Sequence, residues 1–284
     1  MSRIILSAFA DEYNRDVDVQ ISALNELGIG YIEPRFVGEK NISELNDEEA
    51  YELKEKLDKA GIKVYSIGSP LGKVNLADDF DKHLALSERV FKTAKILGAK
   101  CIRVFSFYLR EGDKRDEKTL AEVTERLTKM IDLADKYGVT LCHENEAEIY
   151  GESDADCRTL LDAMGGRLRC VFDMGNFVLG GCTPYPTGYE LLKEYIEYFH
   201  IKDAIGTNAI VPPGCGDANI ADILAAYARD FDKDVIATLE PHLETFSGLN
   251  KLTNVTFDNP YKFESPEAAF TEAANRIKEI IANI

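Results

Sequence analysis

Short runs of apolar and β-branched residues recur along the chain, and longer segments between them repeat their apolar positions every three or four residues. The eight runs are RIILSAF, YIEPRFV, KVYSIGS, CIRVFSF, VTLCHENE, LRCVFDMG, EYFHIKDA and DVIATLE. Runs of this kind are typical of strands buried on both faces, and the longer repeat is typical of amphipathic helices. The pattern therefore predicts strands that alternate with helices throughout.

Helix boundaries are marked by residues that can satisfy free backbone groups. Asn46 precedes Glu49 by three positions, the spacing of a capping box, and Gly61 follows the last apolar position of the same helix. Ser265 followed by Pro266 predicts the start of a final helix over about residues 265 to 283.

Eight strands, seven intervening helices and a final helix are the count of a closed parallel barrel, so the fold class is predicted as α/β, a (β/α)₈ TIM barrel. No Pro/Ser-rich linker or change of composition divides the chain, and residues 1–284 are expected to form one domain. The alternative is a doubly wound sheet. It is disfavoured because no GxGxxG or GxxxxGK[ST] motif follows any predicted strand.

Two predicted connections are long, at about 203 to 219 and about 241 to 264, and both follow strands. Structureless connections of this length are usually lids or binding loops, and both would lie on the catalytic face of a barrel. The second carries Phe246, Leu249, Phe257 and Tyr261. These side chains would cover a bound substrate and exclude water, or bury the interface of a homo-oligomer.

Composition narrows the choice of partners. A hydrophobic fraction of 45% and a charged fraction of 29% are those of an ordinary globular protein. The formal net charge of −17 would repel a phosphate backbone, which argues against a nucleic-acid substrate. No signal-peptide pattern and no membrane-spanning apolar stretch is present, so a cytoplasmic location without a membrane partner is expected. The 6 cysteines contain no CxxC pair and are expected to be reduced.

Polar residues that close an apolar run deserve notice because active sites of (β/α)₈ enzymes lie at the carboxyl ends of the strands. Four such residues are Glu144, Asp173, His200 and Glu240. A single strand-end carboxylate is often a helix cap or a salt-bridge partner, but three carboxylates and an imidazole in one barrel form an oxygen-rich metal site. Such a site suits Mn²⁺ first, or Mg²⁺, with Zn²⁺ and Co²⁺ compatible through the histidine.

These segments resemble a known family. The sequences E-N-E at 144 to 146, F-D-M-G-N at 172 to 176, H-I-K-D at 200 to 203 and L-E-P-H at 239 to 242 are similar to those of the xylose isomerase-like barrel superfamily, in particular its sugar phosphate isomerase/epimerase members. The resemblance covers essentially the whole chain, including E-P-R at 33 to 35, G-S-P-L-G-K at 68 to 73 and R-V-F-S-F at 103 to 107.

The resemblance implies that Glu144, Asp173, His200 and Glu240 bind one divalent metal ion per chain. It also implies that the two glutamates act as base and acid. One would remove the proton α to a carbonyl, the metal would stabilise the enediolate, and the other would return the proton.

Strand alternation adds two neighbours to this set. Glu146 shares a side with Glu144, and Lys202 shares a side with His200. Lys202 would donate to a substrate oxygen or polarise the carbonyl, unless it only pairs with a carboxylate. By the same alternation His143 should point away from the site.

Other polar residues are expected around the mouth of the barrel. They would orient substrate hydroxyls or receive a phosphate or carboxylate, and they are Glu33, Arg35, Lys73, Arg103 and His242. Alternatively, Glu33 and Arg35 pair with their neighbours to fill the barrel. Asn176 stands where the family's sugar epimerases often carry a histidine, which puts 3-epimerase activity in doubt.

The first functional hypothesis is a metal-dependent isomerase or epimerase of a small carbohydrate or its phosphate. The second is a dehydratase or lyase of a keto-sugar, keto-inositol or glycoside that uses the same site. A phosphodiesterase like endonuclease IV needs many histidines, and this chain has 4. A non-enzymatic binding barrel is disfavoured because the ligand set is intact.

Overall fold

The computed structural model describes residues 3–243 and 260–284. Its strands are β1 (Ile4–Ala8), β2 (Tyr31–Ile32), β3 (Phe36–Val37), β4 (Lys40–Asn41), β5 (Lys63–Val64), β6 (Ser66–Ile67), β7 (Cys101–Val104), β8 (Thr140–Glu144), β9 (Arg169–Asp173), β10 (Ile196–Ile201), β11 (Asp203–Ile205), β12 (Ala209–Val211) and β13 (Val235–Leu239).

The helices between them are α1 (Val17–Glu26), α2 (Asp47–Ala60), α3 (Phe80–Leu97), α4 (Glu117–Ala134), α5 (Asp154–Ala163), α6 (Met174–Leu179), α7 (Tyr189–Leu192), α8 (Ile220–Asp230) and α9 (Pro266–Ala282). Short 3₁₀ turns lie at Ala10–Glu12, Ile42–Glu44 and Asp135–Tyr137, and a π-type turn lies at Pro184–Gly188.

The parallel strands form a ring. Seven of them make one sheet in the order β1, β13, β10, β9, β8, β7, β6, and β2 pairs with β5 beside it. The N–H of Glu33 donates to the carbonyl of Ala8 at 3.0 Å, and the N–H of Cys101 donates to the carbonyl of Tyr65 at 3.1 Å. These bonds connect the short pair to its two neighbours, so the predicted (β/α)₈ barrel is confirmed.

The second and third predicted strands are shorter than the sequence pattern indicates. Within YIEPRFV only Tyr31–Ile32 pairs in the barrel, and Phe36–Val37 instead forms an antiparallel hairpin with Lys40–Asn41. Pro34 explains the break, because proline has no N–H to offer to a neighbouring strand. In KVYSIGS the strand is interrupted at Tyr65.

The predicted helix signals are confirmed where the sequence marks them. Asn46 and Glu49 form both bonds of a capping box at the start of α2, and Gly61 ends that helix in the left-handed conformation. Ser265 accepts a hydrogen bond from the N–H of Ala268 at the start of α9.

The connection at 203 to 219 is not structureless, contrary to the sequence-based expectation. It contains the antiparallel hairpin of β11 and β12, and the buried carboxylate of Asp203 organises the segment. Asp203 Oδ1 accepts from the N–H groups of Ala204 and Ala218, and Oδ2 accepts from those of Gly214 and Gly216, at 2.8 to 3.1 Å. The predicted lid residues Phe246, Leu249 and Phe257 lie outside the described residues.

The barrel interior is built in layers because side chains of a strand alternate between inside and outside. Five inward side chains pack into a buried cluster in the barrel: Cys101, Cys142, Val171, Tyr198 and Ile236. The inward residues two positions further along these strands are polar, and they form the site described below. All six cysteines are free thiols, as expected, and four are buried.

No helix within residues 3–243 and 260–284 has the length and apolar character that a membrane crossing requires.

Stability should depend on pH through a buried histidine remote from the polar layer. His83, on α3, accepts a hydrogen bond from the N–H of Gly72 at 3.0 Å, and burial together with the charge of Arg126 lowers the pKa of His83 to about 4. An unfolded histidine has a pKa near 6.5. Between pH 6.5 and 4 the unfolded chain therefore binds a proton at His83, and the folded protein does not. Stability should therefore fall as the pH falls through this window, by about 1.4 kcal/mol per pH unit for this group.

Urea unfolding at pH 7 and pH 5 tests this on the native protein and on His83→Gln, whose amide oxygen can still accept from Gly72. The variant should lose roughly 2 kcal/mol less between the two pH values, because it cannot titrate there. Equal losses in both proteins would contradict the assignment.

Candidate metal centre

Four side chains meet at the carboxyl ends of the barrel strands. Glu144 ends β8, Asp173 ends β9, His200 lies on β10, and Glu240 directly follows β13. One oxygen or nitrogen of each lies within 4.8 Å of the others, and all four residues are buried. The structure thus brings together the set that the strand-end pattern singled out, because parallel strands end at the same rim.

The imidazole of His200 lies at the centre of this group. Its Nδ1 is 2.9 Å from Glu144 Oε1 and 3.2 Å from Glu240 Oε2. Burial opposes a charge on the ring, but the carboxylates of Glu144 and Glu33 outweigh burial and raise the pKa of His200 well above its ordinary value. Coordination through Nδ1 requires this imidazole to give up its proton, so metal and proton compete for the same atom.

The three carboxylates experience different surroundings. Burial would raise the pKa of Glu144, but His200 and Arg103 lower it to about 2. Burial dominates at Asp173 and, despite Lys202, raises its pKa to about 7. At Glu240 burial is outweighed by Lys202 and His200, and the pKa is well below its ordinary value. Three acidic side chains are therefore crowded into a small buried volume, and burial disfavours a charge on Asp173.

Two carboxylate oxygens of this group are unsatisfied. Glu144 Oε2 and Glu240 Oε2 are buried and make no hydrogen bond, although cationic atoms lie 3.2 to 3.3 Å away. A buried acceptor without a donor is costly unless another partner supplies positive charge. Three carboxylates and one imidazole are ligands that Mn²⁺, Mg²⁺, Zn²⁺ and Co²⁺ accept. The residues therefore fit a divalent cation.

Glu33 lies on the opposite side of His200 from this group, not at the mouth of the barrel where the sequence analysis placed it. Its Oε2 is 3.3 Å from His200 Nε2 and accepts from Thr238 Oγ1 at 2.8 Å, while Oε1 accepts from Tyr198 OH at 2.9 Å. Its carboxylate is fully enclosed. A carboxylate on the second nitrogen of a ligand histidine fixes the tautomer and the orientation of the ring.

Arg103 is also buried and does not face the opening. Its Nη1 is 3.2 Å from Glu144 Oε2 and 3.9 Å from Glu240 Oε1. Sequence reasoning allowed it to receive an anionic group of the substrate, but its guanidinium is directed at the two glutamates.

Arg35 donates hydrogen bonds to three carboxylates, two of which, Asp11 and Glu12, are not among the residues singled out from the sequence. Its Nη1 donates to Glu240 Oε1 at 2.9 Å, its Nε to Asp11 at 3.0 Å and its Nη2 to Glu12 at 3.1 Å. Asp11 and Glu12 lie on the 3₁₀ turn that follows β1. They are polar residues after the first apolar run, so the sequence marks them by the same signal that marks Glu144.

His242 reaches the site, as the sequence analysis proposed. Its ring Nε2 is 3.3 Å from both Glu12 Oε1 and Glu240 Oε1. Its backbone N–H donates to Glu12 Oε2 at 2.8 Å. Glu12, Glu240 and His242 form a second group of closely spaced ligand atoms. The guanidinium of Arg35 already supplies positive charge there. Burial and the charge of Lys202 keep the pKa of His242 well below its ordinary value, so the ring is neutral.

Lys202 and Asn176 are bonded to the same network. Lys202 Nζ donates to Asp173 Oδ2 at 2.8 Å and to Asn176 Oδ1 at 3.0 Å, and lies 3.3 Å from Glu240 Oε2. Asn176 Nδ2 donates to the carbonyl of Asn145 at 2.9 Å. Asn145, which sequence reasoning did not select, exchanges two hydrogen bonds with the backbone of Asp173 at 3.0 Å.

Lys73 and Glu146 form a pair at the open side of the site. Lys73 Nζ donates to Glu146 Oε2 at 2.6 Å, and both side chains are partly exposed. His143 lies away from the group, as alternation predicts, and its Nε2 is 3.0 Å from Ser106 Oγ.

Comparison with known proteins places this geometry in context. A family model described as xylose isomerase-like TIM barrel matches residues 21–280. No curated protein sequence matches the chain at a significant level.

Solved structures resemble the chain over nearly its whole length at low sequence identity. The IolI protein with a bound zinc atom has a TM-score of 0.77 at 18% identity, with 99% of each chain covered. The probable 3-DHS dehydratase AsbF of petrobactin synthesis from Bacillus anthracis has a TM-score of 0.73 at 16% identity, covering 97% of this chain and 98% of its own. An L-ribulose 3-epimerase has a TM-score of 0.73 at 17% identity, covering 100% and 95%. At these identities the likeness supports the fold.

Metal content is the first measurable consequence of the buried group. The purified protein should contain about one divalent ion per chain by elemental analysis, and Asp173→Asn should lose most of it because a charged ligand is removed. Glu146→Gln is the matched control, since it removes a carboxylate at the rim and should retain the metal. Full retention of metal in Asp173→Asn would refute the site.

The contact between α6 and Lys202 gives a second expected outcome. A Cβ on Gly175 would lie 2.6 Å from Lys202 Cγ and 2.9 Å from its backbone carbon. Gly175→Ala should therefore lower the free energy of unfolding by about 1–3 kcal/mol. Gly30→Ala, which meets no atom within 4 Å, is the control, and denaturant titration of both variants compares them. Equal stability would mean that Lys202 is not held by this contact.

Proposed function

Since the chain belongs to the xylose isomerase-like TIM barrel family, we propose that it is a divalent-metal-dependent isomerase or epimerase of a small sugar or sugar phosphate. The observation that carries this proposal is the pair of buried glutamates on either side of His200 Nδ1. Glu144 Oε1 and Glu240 Oε2 lie beside this nitrogen, and Glu144 Oε2 and Glu240 Oε2 make no hydrogen bond. Mn²⁺ or Mg²⁺ is the proposed metal, and Zn²⁺ or Co²⁺ suits the same ligands.

Glu144 and Glu240 are the proposed acid/base pair. The pKa of each lies below its ordinary value, so both are carboxylates at neutral pH and either can accept a proton. One of them takes the proton α to the substrate carbonyl and becomes a carboxylic acid. The other, after protonation from solvent, returns a proton to the enediolate. A bound divalent cation would supply Lewis-acid polarisation of the carbonyl.

Lys202 is proposed as a hydrogen-bond donor in this reaction. Burial opposes its charge, but Asp173 and Glu240 outweigh burial and raise its pKa, so the amine is protonated and cannot act as a base. Its Nζ lies 3.3 Å from Glu240 Oε2, close to the proposed site of proton transfer. A fixed ammonium there stabilises negative charge on the substrate oxygen.

A dehydratase or lyase is the second candidate, and Asn176 is the observation that favours it. In this position the family's sugar epimerases often carry a histidine, whereas the amide of Asn176 binds Lys202 and the carbonyl of Asn145. Elimination also begins with removal of an α-proton, and it differs only in the loss of the β-hydroxyl. The nuclease alternative is not favoured, because His83 and His143 bond elsewhere and only two histidines reach the site.

Exchange of substrate protons with solvent tests the proposed chemistry directly. Ketoses, their phosphates and keto-inositols are incubated in deuterated water, and incorporation at the carbon α to the carbonyl is followed by NMR. Glu144→Gln and Glu240→Gln should each reduce the rate by about 10²–10⁴-fold, because proton transfer loses its base or its acid.

The matched control is Glu55→Gln, which changes an exposed glutamate of α2 that pairs with Lys59. It should exchange at the native rate. Unchanged exchange in both active-site variants would assign the base elsewhere, and analysis of the products for an isomer or for loss of water separates the two candidates.

A further inference from the structure

We propose that the substrate is an uncharged, hydroxyl-rich carbonyl compound, such as a free ketose or a keto-inositol, rather than a sugar phosphate or a keto acid. This inference rests on the proposed function and narrows its substrate class. It follows from which atoms of the site already have partners and which do not.

Every cationic side chain of the predicted site is bonded to carboxylates. Arg35 binds Asp11, Glu12 and Glu240, and Arg103 lies against Glu144 and Glu240. Lys202 binds Asp173, and Lys73 binds Glu146. Recognition of a phosphate or carboxylate takes cationic donors directed at the anion. These four cations are directed at the protein.

The unsatisfied atoms of the site are of the opposite kind. Among the residues that the structure describes, the buried site atoms without a hydrogen bond are carboxylate oxygens: Asp11 Oδ1, Glu144 Oε2 and Glu240 Oε2. A carboxylate only accepts hydrogen bonds, so it needs a donor or a metal ion as its partner. The metal ion would take the oxygens of Glu144 and Glu240, and a substrate hydroxyl can donate to Asp11 Oδ1. The charged group of a sugar phosphate or of a keto acid has no proton to donate at neutral pH.

The charge balance of the site points in the same direction. Seven carboxylates take part, namely Asp11, Glu12, Glu33, Glu144, Glu146, Asp173 and Glu240. Among the residues that the structure describes, these acidic side chains outnumber the four cationic side chains of the site. A dianion would therefore meet buried carboxylates at a low dielectric, where repulsion is strong.

The Lys73–Glu146 pair is the most exposed ion pair of the site, so an anion could break it at little cost in free energy. Both side chains are partly exposed, and exposed ion pairs of this kind contribute little net free energy because solvent screens them. Breaking it frees the ammonium but leaves the carboxylate of Glu146 beside the incoming anion. Glu146 therefore disfavours the binding of anionic substrates by electrostatic repulsion.

Binding of unreactive analogues tests recognition apart from catalysis. Metal-loaded protein is titrated calorimetrically with a hexitol, the corresponding hexitol 6-phosphate and the corresponding hexonate. None of the three carries a ketone or an aldehyde, so none can react. The hexitol should bind at least about tenfold more tightly than either anion, a difference of about 1.4 kcal/mol. Tighter binding of the phosphate or the hexonate, or no detectable binding of the hexitol, would overturn the inference.

Two variants probe the role of Glu146. Glu146→Gln frees Lys73 and should shift the affinity ratio several-fold toward the hexitol 6-phosphate. Glu148→Gln removes an equal charge from an exposed position two residues away without freeing Lys73, and it should shift the ratio less. An equal shift in both variants would count against the pairing argument.

Deuterium exchange separates this inference from the proposed function. Exchange in a neutral ketose or keto-inositol, with little in a ketose phosphate or a cyclic keto acid, supports both. Exchange confined to the charged compounds overturns the substrate class and leaves the function standing. Absence of exchange in every compound counts against the function, while the hexitol titration still decides the substrate class.

Discussion

The rest of the structure depends on compensating the charge of the carboxylates at the strand ends, because Glu144, Asp173 and Glu240 are buried around a single imidazole. In a low-dielectric interior the repulsion between such groups is large, and each carboxylate also loses its hydration. His200 on β10 and Lys202 just after that strand supply part of the compensating positive charge. The oxygens that still make no hydrogen bond are where a divalent cation fits.

Strand β10 ties the layers of the barrel together. Its inward side chains Tyr198 and His200 are followed, just past the end of the strand, by Lys202, and all three are buried. Tyr198 donates to Glu33, His200 contacts Glu33 on one side and the ligand carboxylates on the other, and Lys202 binds Asp173. The orientation of the central imidazole is therefore set from below by Glu33, and Lys202 neutralises charge from above.

Part of the site was accessible from the sequence because one rule, a polar residue closing an apolar run, locates strand ends on the catalytic face. That rule identifies Glu144, Asp173, His200 and Glu240, and Asp11 and Glu12 after β1 carry the same signal. The rule does not assign depth. Glu33 follows a strand of two paired residues and lies beneath His200, since the height of a side chain in a barrel depends on strand tilt and stagger.

The alternation of strands and helices, the helix caps and the residue types at the strand ends are readable from the sequence, because they depend on periodicity and on neighbours a few positions apart. Which charges meet depends instead on the folded barrel. Arg35 binds Asp11 at 24 positions' separation and Glu240 at 205, and no local pattern encodes either pairing. Such contacts exist only once the ring of strands has closed, and closure determines whether a cation of the site faces the substrate or another side chain.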